Sequence, residues 1–103
     1  MIELTPVFLA RIVDLVRSGS YVDIALLSCG VDMETYEKWM AKAESKYLQL
    51  REGIKRAEAE AEARNVAIVQ KAAGEDWRAA QWWLENHYPN RWGRQKLLKA
   101  LGK

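Results

Sequence analysis

A long run without helix breakers constrains this sequence more than any other feature. From Glu44 to about Ala73 there is no proline and a single glycine, Gly53, and strong helix formers dominate the segment KRAEAEAEARNVAIVQKAA. A helix of about thirty residues reaches about 45 Å, far beyond the span of a small three-helix unit. The sequence therefore predicts an all-α chain in which one long helix extends past its first packing partners.

Apolar side chains follow this predicted helix at spacings of three and four residues. They are Tyr47, Leu50, Ile54, Ala57, Ala61 and Ile68. Arg64 is the one polar interruption. The middle of the stripe is alanine, which allows close approach between helices but buries little surface. Two interpretations remain open: a solvated helical spacer, and one arm of a helical hairpin that assembles subunits.

Residues 20–43, before the long helix, have the pattern of two short helices joined by a tight turn. Apolar side chains at positions i, i+3, i+4 and i+7 mark the first helix, namely Val22, Ala25, Leu26 and Cys29. After Gly30 and Val31 the spacing resumes with Tyr36, Trp39, Met40 and Ala43. This pattern is typical of a helix-turn-helix, whose second helix enters the major groove in DNA-binding versions. The corresponding outer face here is Glu34, Thr35, Glu37, Lys38, Ala41 and Lys42.

Capping residues mark the starts of these two helices. Ser20, with Asp23 three residues later, has the spacing of a capping box, so we expect Ser20 at the first N-cap. Asp32 is expected to cap the second helix, where its carboxylate also lies against the positive end of the helix dipole. Both short helices therefore have a predicted start.

A further helix is predicted near the N-terminus. Thr5 can cap it, and Pro6 occupies the first helical position, where its missing N–H costs nothing. Its apolar face is Phe8, Ile12, Leu15 and Val16. Ser18 and Gly19 end it. Packed across the helix-turn-helix, it gives a homeodomain-like three-helix unit over residues 1–43, small enough to need support from the long helix.

The segment after the long helix is rich in tryptophan. Gly74 and Asp76 predict a short turn into a second, shorter antiparallel helix, so residues 44–93 would form a helical hairpin. Trp77, Ala80, Leu84 and Tyr88 form one stripe of that helix, with Trp83 beside them. Trp82 points about 100° away from Trp83. With large aromatics on two faces, one face can pack within the subunit, which leaves the other to contact a neighbour or to remain exposed as a costly apolar patch.

Positive charge is concentrated towards the C-terminus. The 103-residue chain has a net charge of +2, but residues 1–43 carry four basic against six acidic side chains. Residues 76–103 carry six basic against two acidic ones. The basic tail, residues 94–103, could be a DNA-contacting arm, a partner-binding helix or a solvated end.

The sequence shows no catalytic or metal-binding constellation, so we expect no enzyme activity and no cofactor. His87 is the only histidine, and the spacing of Glu58, Glu60 and Glu62 keeps their carboxylates from converging on a helix. The single cysteine, Cys29, lies on an apolar stripe and is interpreted as a small buried hydrophobe. No leader or long apolar run indicates export or a membrane partner, which favours a cytoplasmic protein.

The block from Asp76 to Arg94 carries a specific resemblance. It is DWRAAQWWLENHYPNRWGR, and it follows a helix-turn-helix and a long charged, alanine-rich helix. In this order, the words D-W-R-A-A, W-W-L-E and Y-P-N-R-W-G resemble the small terminase subunit of tailed bacteriophages, over about residues 5–94. Members of that family form rings from central helical hairpins and recognise the packaging site of viral DNA through their N-terminal units. They deliver the DNA to the large subunit, which carries the ATPase and the nuclease.

The resemblance implies a non-enzymatic subunit, encoded by a virus or prophage, in a bacterial host cell. Its partners would be double-stranded DNA, further copies of the chain in a ring-like homo-oligomer, and the large terminase subunit. The candidate DNA contacts are Arg11, Arg17, Ser20, Thr35, Lys38 and Lys42. The candidate oligomerisation residues are Tyr47, Leu50, Ile54, Ile68, Trp77, Trp82, Trp83 and Trp92. Small terminases often continue beyond the hairpin, so either residues 94–103 meet the large subunit or a further segment does.

One departure from the family pattern leaves two other functions open. Family members usually carry more arginine and lysine on the second helix of the motif, where this chain has Asp32, Glu34 and Glu37. Carboxylates near phosphates repel DNA, so each unit should bind weakly and depend on ring multiplicity. A dimeric transcriptional regulator or recombination accessory factor is the first alternative. A protein-interaction module that has lost DNA binding is the second.

Overall fold

The computed structural model describes residues 2–93 and 102, and these residues form an all-helical chain without strands. The six helices of this described part are α1 (Pro6–Arg17), α2 (Val22–Ser28), α3 (Met33–Met40), α4 (Ser45–Ala73), α5 (Trp77–His87) and α6 (Pro89–Trp92). The chain divides into two compact units, one ending at Ala63 and the other beginning at Arg64. Apart from Gly102, the predicted basic tail lies outside the described residues. In the described part of the chain, no helix combines the length and apolar character needed to cross a membrane.

The predicted start and end of α1 are confirmed. Thr5 Oγ1 accepts a hydrogen bond of 3.1 Å from the Phe8 N–H, and Pro6 occupies the first turn. Ser18 is the C-cap, and Gly19 follows with a φ of +113°, a left-handed conformation that favours glycine. Ser18 and Gly19, at the end of α1, therefore determine the turn that leads into α2.

The capping box predicted at Ser20 is wrong. The first helical residue of α2 is Val22, so the N-cap is Tyr21, which makes no side-chain capping bond. The carboxylate of Asp23 instead accepts a hydrogen bond from the neighbouring Ile24 N–H. The Ser20 N–H donates to the Leu15 carbonyl at 3.2 Å, which keeps Ser20 in the turn that ends α1.

The core of the first unit includes side chains from α1, α2, α3 and the first half of α4. Its buried members are Leu4, Ile12, Val13, Val16, Ala25, Leu26, Val31, Trp39, Tyr47, Leu50, Ile54 and Ala57. The core therefore continues across the boundary at residues 43/44 that the sequence suggested, because the side chains of α4 cover the three preceding helices. The expectation that the small three-helix unit needs the long helix agrees with this packing.

Gly53 lies where α4 approaches α1 closely. A Cβ atom added to Gly53 would lie 3.0 Å from Cγ2 of Val13, which is tighter than ordinary van der Waals contact. Val13 is itself buried in the core, so its side chain has little space to move. Glycine in a helix interior is unfavourable by about 1 kcal/mol relative to alanine, and here it allows the two helices to approach.

We expect Gly53→Val to destabilise the protein by about 1–3 kcal/mol, because the added methyl groups overpack the contact with Val13. The measurement is the free energy of unfolding from urea titration followed by circular dichroism. In a Val13→Ala background the same substitution should cost less, because the opposing methyl groups are gone. Equal costs in the two backgrounds would show that the close approach of α1 does not determine the residue at 53.

The second unit is described by local contacts along α5 and α6. The Asp76 carboxylate caps α5 by accepting from the Arg78 N–H at 3.0 Å, as the sequence predicts. The Arg78 guanidinium also pairs with Asp76 at 3.1 Å, and this contact lowers the pKa of the Asp76 carboxyl. α5 ends at His87, and Pro89 opens the short α6. No described side chain from 64 to 93 is buried, and Trp77, Trp82 and Trp92 are exposed.

Candidate nucleic-acid interface

Helix α3 has one face in the core and one face outside it. Trp39 is buried, and Tyr36 and Met40 pack against the core. The predicted outer face is exposed at Glu34, Glu37, Lys38, Ala41 and Lys42 and half-buried at Thr35. Gly30 precedes the helix with a φ of +82°, so a tight turn joins α2 to α3. The first unit therefore packs one face of α3 against its core and leaves the outer face accessible.

The start of α3 is fixed by Asp32. Its Oδ1 accepts a hydrogen bond of 2.8 Å from the Thr35 N–H, which confirms the predicted cap. Two hydrogen bonds from Thr35 lower the pKa of the Asp32 carboxyl below its usual value. The one from the backbone N–H has the larger effect, and the one from the Thr35 side chain has the smaller. Asp32 and Thr35 thus serve the helix start, so Thr35, a candidate DNA contact, already takes part in the cap.

We expect Asp32→Ala to lower the thermal midpoint at neutral pH, because α3 loses its cap. A pKa that is lower in the folded state stabilises the protein above the unfolded value of about 4, and this contribution disappears as the pH falls through the folded value. The gap in thermal midpoint between wild type and Asp32→Ala should therefore narrow in acid. An asparagine at this position would still cap the helix without titrating, so the gap between Asp32→Asn and Asp32→Ala should stay constant. A gap between wild type and Asp32→Ala that does not change with pH would contradict the assignment.

Two of the candidate DNA-binding cations are paired with carboxylates. Arg17 forms ion pairs with Asp14 and, through Nε at 2.7 Å, with Glu60 of α4, and the Glu60 hydrogen bond raises the pKa of Arg17. Lys38 Nζ lies 3.5 Å from Glu34 Oε1, one turn earlier on α3. These pairs are exposed and individually weak, but they reduce the positive charge that each cation offers a phosphate.

Arg11 and Ser20 differ in their surroundings. Arg11 is exposed on α1 and makes no ion pair within the described part of the chain. Ser20 is half-buried in a depression that Glu58 and Glu62 also line. Since carboxylates repel phosphates, Glu58 and Glu62 make the surroundings of Ser20 unfavourable for DNA. Asp14 lines a depression with Arg11, but its ion pair is with Arg17.

A second set of cations lies between the end of α3 and the first turn of α4. Lys42 Nζ is 4.9 Å from the ring centre of Tyr47 and 3.3 Å from its hydroxyl oxygen. Lys46 Nζ is 5.1 Å from the same ring centre. Within the described residues neither lysine has an ion-pair partner. Lys42 is among the predicted DNA contacts and Lys46 is not, because one lysine follows α3 and the other lies in the first turn of α4. Only the fold shows that both lie near Tyr47.

The candidate assembly residues fall into two groups. Tyr47, Leu50 and Ile54 are buried in the chain's own core, so their assignment as oligomerisation contacts is corrected: their side chains cover α1 to α3 and are unavailable to a second copy. Ile68 is exposed in the second unit. The same holds for Trp77, Trp82 and Trp92, with Trp77 71% and Trp82 56% exposed.

Trp83 has a different environment from Trp82. Its ring stacks on His87 with centroids 4.3 Å apart and meets Tyr88 edge-on at 5.5 Å. His87 therefore packs against a tryptophan.

Among the described residues no group of acidic, histidine or cysteine side chains could hold a metal ion. No family model, no curated protein and no solved structure matches this chain.

Proposed function

We propose that this chain is a non-catalytic DNA-recognition subunit of a phage DNA-packaging terminase. It binds double-stranded DNA through a helix-turn-helix and assembles into a ring-like homo-oligomer that presents the DNA to the large subunit. The observation that carries the DNA-binding part is α3, a short helix capped by Asp32 and packed on the core, whose outer face remains exposed. In DNA-binding helix-turn-helix units, a helix held in this way reads the major groove.

The helix-turn-helix is formed by α2 and α3, and α1 packs across it in a homeodomain-like arrangement. Support for this arrangement is the single core that α1, α2 and α3 share, together with the turn at Gly30. The first half of α4 completes that core, which gives the small DNA-binding unit the burial that its three helices lack. In this proposal the shared core supports α3 from its inner face.

Assembly is proposed to use the second unit. In a hairpin, α5 folds back along α4, and the tryptophans that remain exposed contact neighbouring copies. The exposure of Trp77, Trp82 and Trp92 supports this role, because tryptophan is enriched at interfaces and is unusual on a free surface. Assembly would also offset weak binding by each unit, since linked sites gain on the order of 10² to 10⁴ in avidity.

The pairing of Arg17 and Lys38 with carboxylates favours a second candidate, a protein-interaction module that has lost DNA binding. Its α3 face would bind a basic partner through Glu34 and Glu37. Unchanged mobility of duplex DNA at low salt would support this module over the proposed subunit.

The experiment that tests the proposal is the native mass by light scattering behind a sizing column, with and without duplex DNA at low and high salt. A particle of many subunits that takes up DNA at low salt and releases it at high salt is the expected result. A two-fold symmetric dimer that binds one short palindrome would favour a regulator or recombination factor instead. A monomer that does not bind DNA would contradict both the terminase subunit and the regulator or recombination factor.

A further inference from the structure

The cations of the first unit differ in whether a carboxylate already neutralises them. Arg17 and Lys38 are ion-paired, whereas Lys42 and Lys46 are not, within the described residues. The stretch from Lys42 to Arg56 carries five basic side chains against two acidic ones, so its net charge is positive. Together with Arg11 on α1, the stretch that starts where α3 ends therefore carries positive charge without an ion-pair partner in the described part of the chain, and it lies beside the acidic outer face of α3.

We propose that Lys42 and Lys46, held on the ring of Tyr47, form a binding site for the backbone phosphates of duplex DNA. This site rests on the DNA binding proposed above, and it is the part of the surface that supplies affinity for the DNA backbone. Lysine is a flexible point charge with three donors, and it suits a phosphate oxygen more than a base edge.

Tyr47 makes this pair of lysines a defined site. Its ring is 5% exposed and lies 6.2 Å from that of Trp39, so the core holds it in place. Both ammonium groups lie about 5 Å from its centre, where the negative face of an aromatic ring attracts a cation. The two ammonium groups are therefore at most about 10 Å apart, the sum of their distances to the ring centre. Lys42 is exposed and Lys46 is half-buried, so both can contact the same bound strand.

The location also suits a docked duplex. In homeodomain-type complexes the N-terminal part of the recognition helix reaches the base edges, and the C-terminal end contacts the backbone. Lys42 lies two residues after the end of α3, and Lys46 lies in the first turn of α4, so both belong to that C-terminal side. Glu37, which is exposed on the outer face of α3, is then placed to face base edges, where a carboxylate can accept a hydrogen bond from cytosine N4.

The test compares binding of a labelled duplex by the wild-type chain and by Lys42→Gln/Lys46→Gln, between about 50 and 200 mM salt. The double variant should lose affinity on the order of tenfold per lysine at low salt, and its salt slope should fall by about one per lysine for each bound unit. Two duplexes of unrelated sequence should show the same loss, because phosphates carry no sequence information.

The matched control is Lys55→Gln/Arg56→Gln, which removes the same charge from exposed positions farther along α4. It should retain most of the affinity and salt slope, and light scattering should give all variants the same native mass. Equal losses in the two double variants would overturn the site and leave a diffuse charge effect. Wild-type binding that Lys42→Gln/Lys46→Gln does not weaken would also overturn it while DNA binding itself stands. A wild-type chain that leaves the duplex unbound at low salt would overturn the site together with the proposed function.

Discussion

Replacing Leu50 with alanine is expected to lower the free energy of unfolding by about 2–5 kcal/mol. Leu50 is 0% exposed and lies in the core that joins α4 to α1, α2 and α3. The shorter side chain loses apolar burial and leaves a cavity that packed helices close only partly. Urea unfolding followed by circular dichroism gives the free energy, and two protein concentrations separate any contribution from assembly.

The control for this substitution lies two residues earlier on the same helix. Leu48 is 42% exposed, so Leu48→Ala removes the same atoms outside the core and should cost about 1 kcal/mol or less. If both variants unfold at the same urea concentration, the first half of α4 is not part of the folding unit. In that case residues 1–43 would have to be stable alone, which their small size argues against.

The helix caps show what a sequence can predict about this fold. Thr5, Asp32 and Asp76 each accept a hydrogen bond from an N–H two or three residues later, so the information is local. The start of α2 illustrates the limit. Ser20 has the right spacing, but its N–H closes the end of α1, and the helix begins only at Val22. Two neighbouring helix ends compete for one residue there, and pattern alone does not decide between them.

Core members outside the regular spacing were not predicted. Val31 interrupts the helical pattern, yet it is 0% exposed, and its N–H donates to Leu26 at 2.8 Å. Val13 is buried where Gly53 allows α4 to approach, a contact between residues forty positions apart. Such positions depend on how helices meet in space, which periodicity within one helix does not contain.

The sequence predicts which face of α3 is exposed, but it does not predict which basic side chains of the candidate interface are paired with carboxylates. The exposed face of α3 follows from helical spacing. The pairing of Arg17 with Glu60, however, links two helices that are distant in the sequence, and Lys42 and Lys46 meet only through Tyr47. From the sequence alone, all basic side chains are equally good candidates for contacting DNA. Carboxylate partners and the shared aromatic ring distinguish them.

The second large effect is expected from Trp77→Ala/Trp82→Ala, which should convert the proposed particle into smaller species. Truncating a central interface tryptophan costs about 2 kcal/mol or more, so two such losses weaken association on the order of 10³-fold. Trp77 and Trp82 are chosen because they are the most exposed tryptophans of the second unit. Trp83 is left intact, since it stacks on His87 within the chain. Native mass by light scattering, over a range of protein concentrations, measures the effect.

Tyr21→Ala provides the matched control for this double variant. Tyr21 is 81% exposed but belongs to the first unit, so its loss removes an equally accessible aromatic ring from outside the proposed assembly surface. Its native mass should equal that of the wild type, and duplex binding per subunit should fall only in the tryptophan variant, through lost avidity. If the tryptophan variant keeps the full particle mass, assembly uses another surface. If it keeps the mass and Tyr21→Ala loses it, copies meet through the helix-turn-helix unit, as in a regulator.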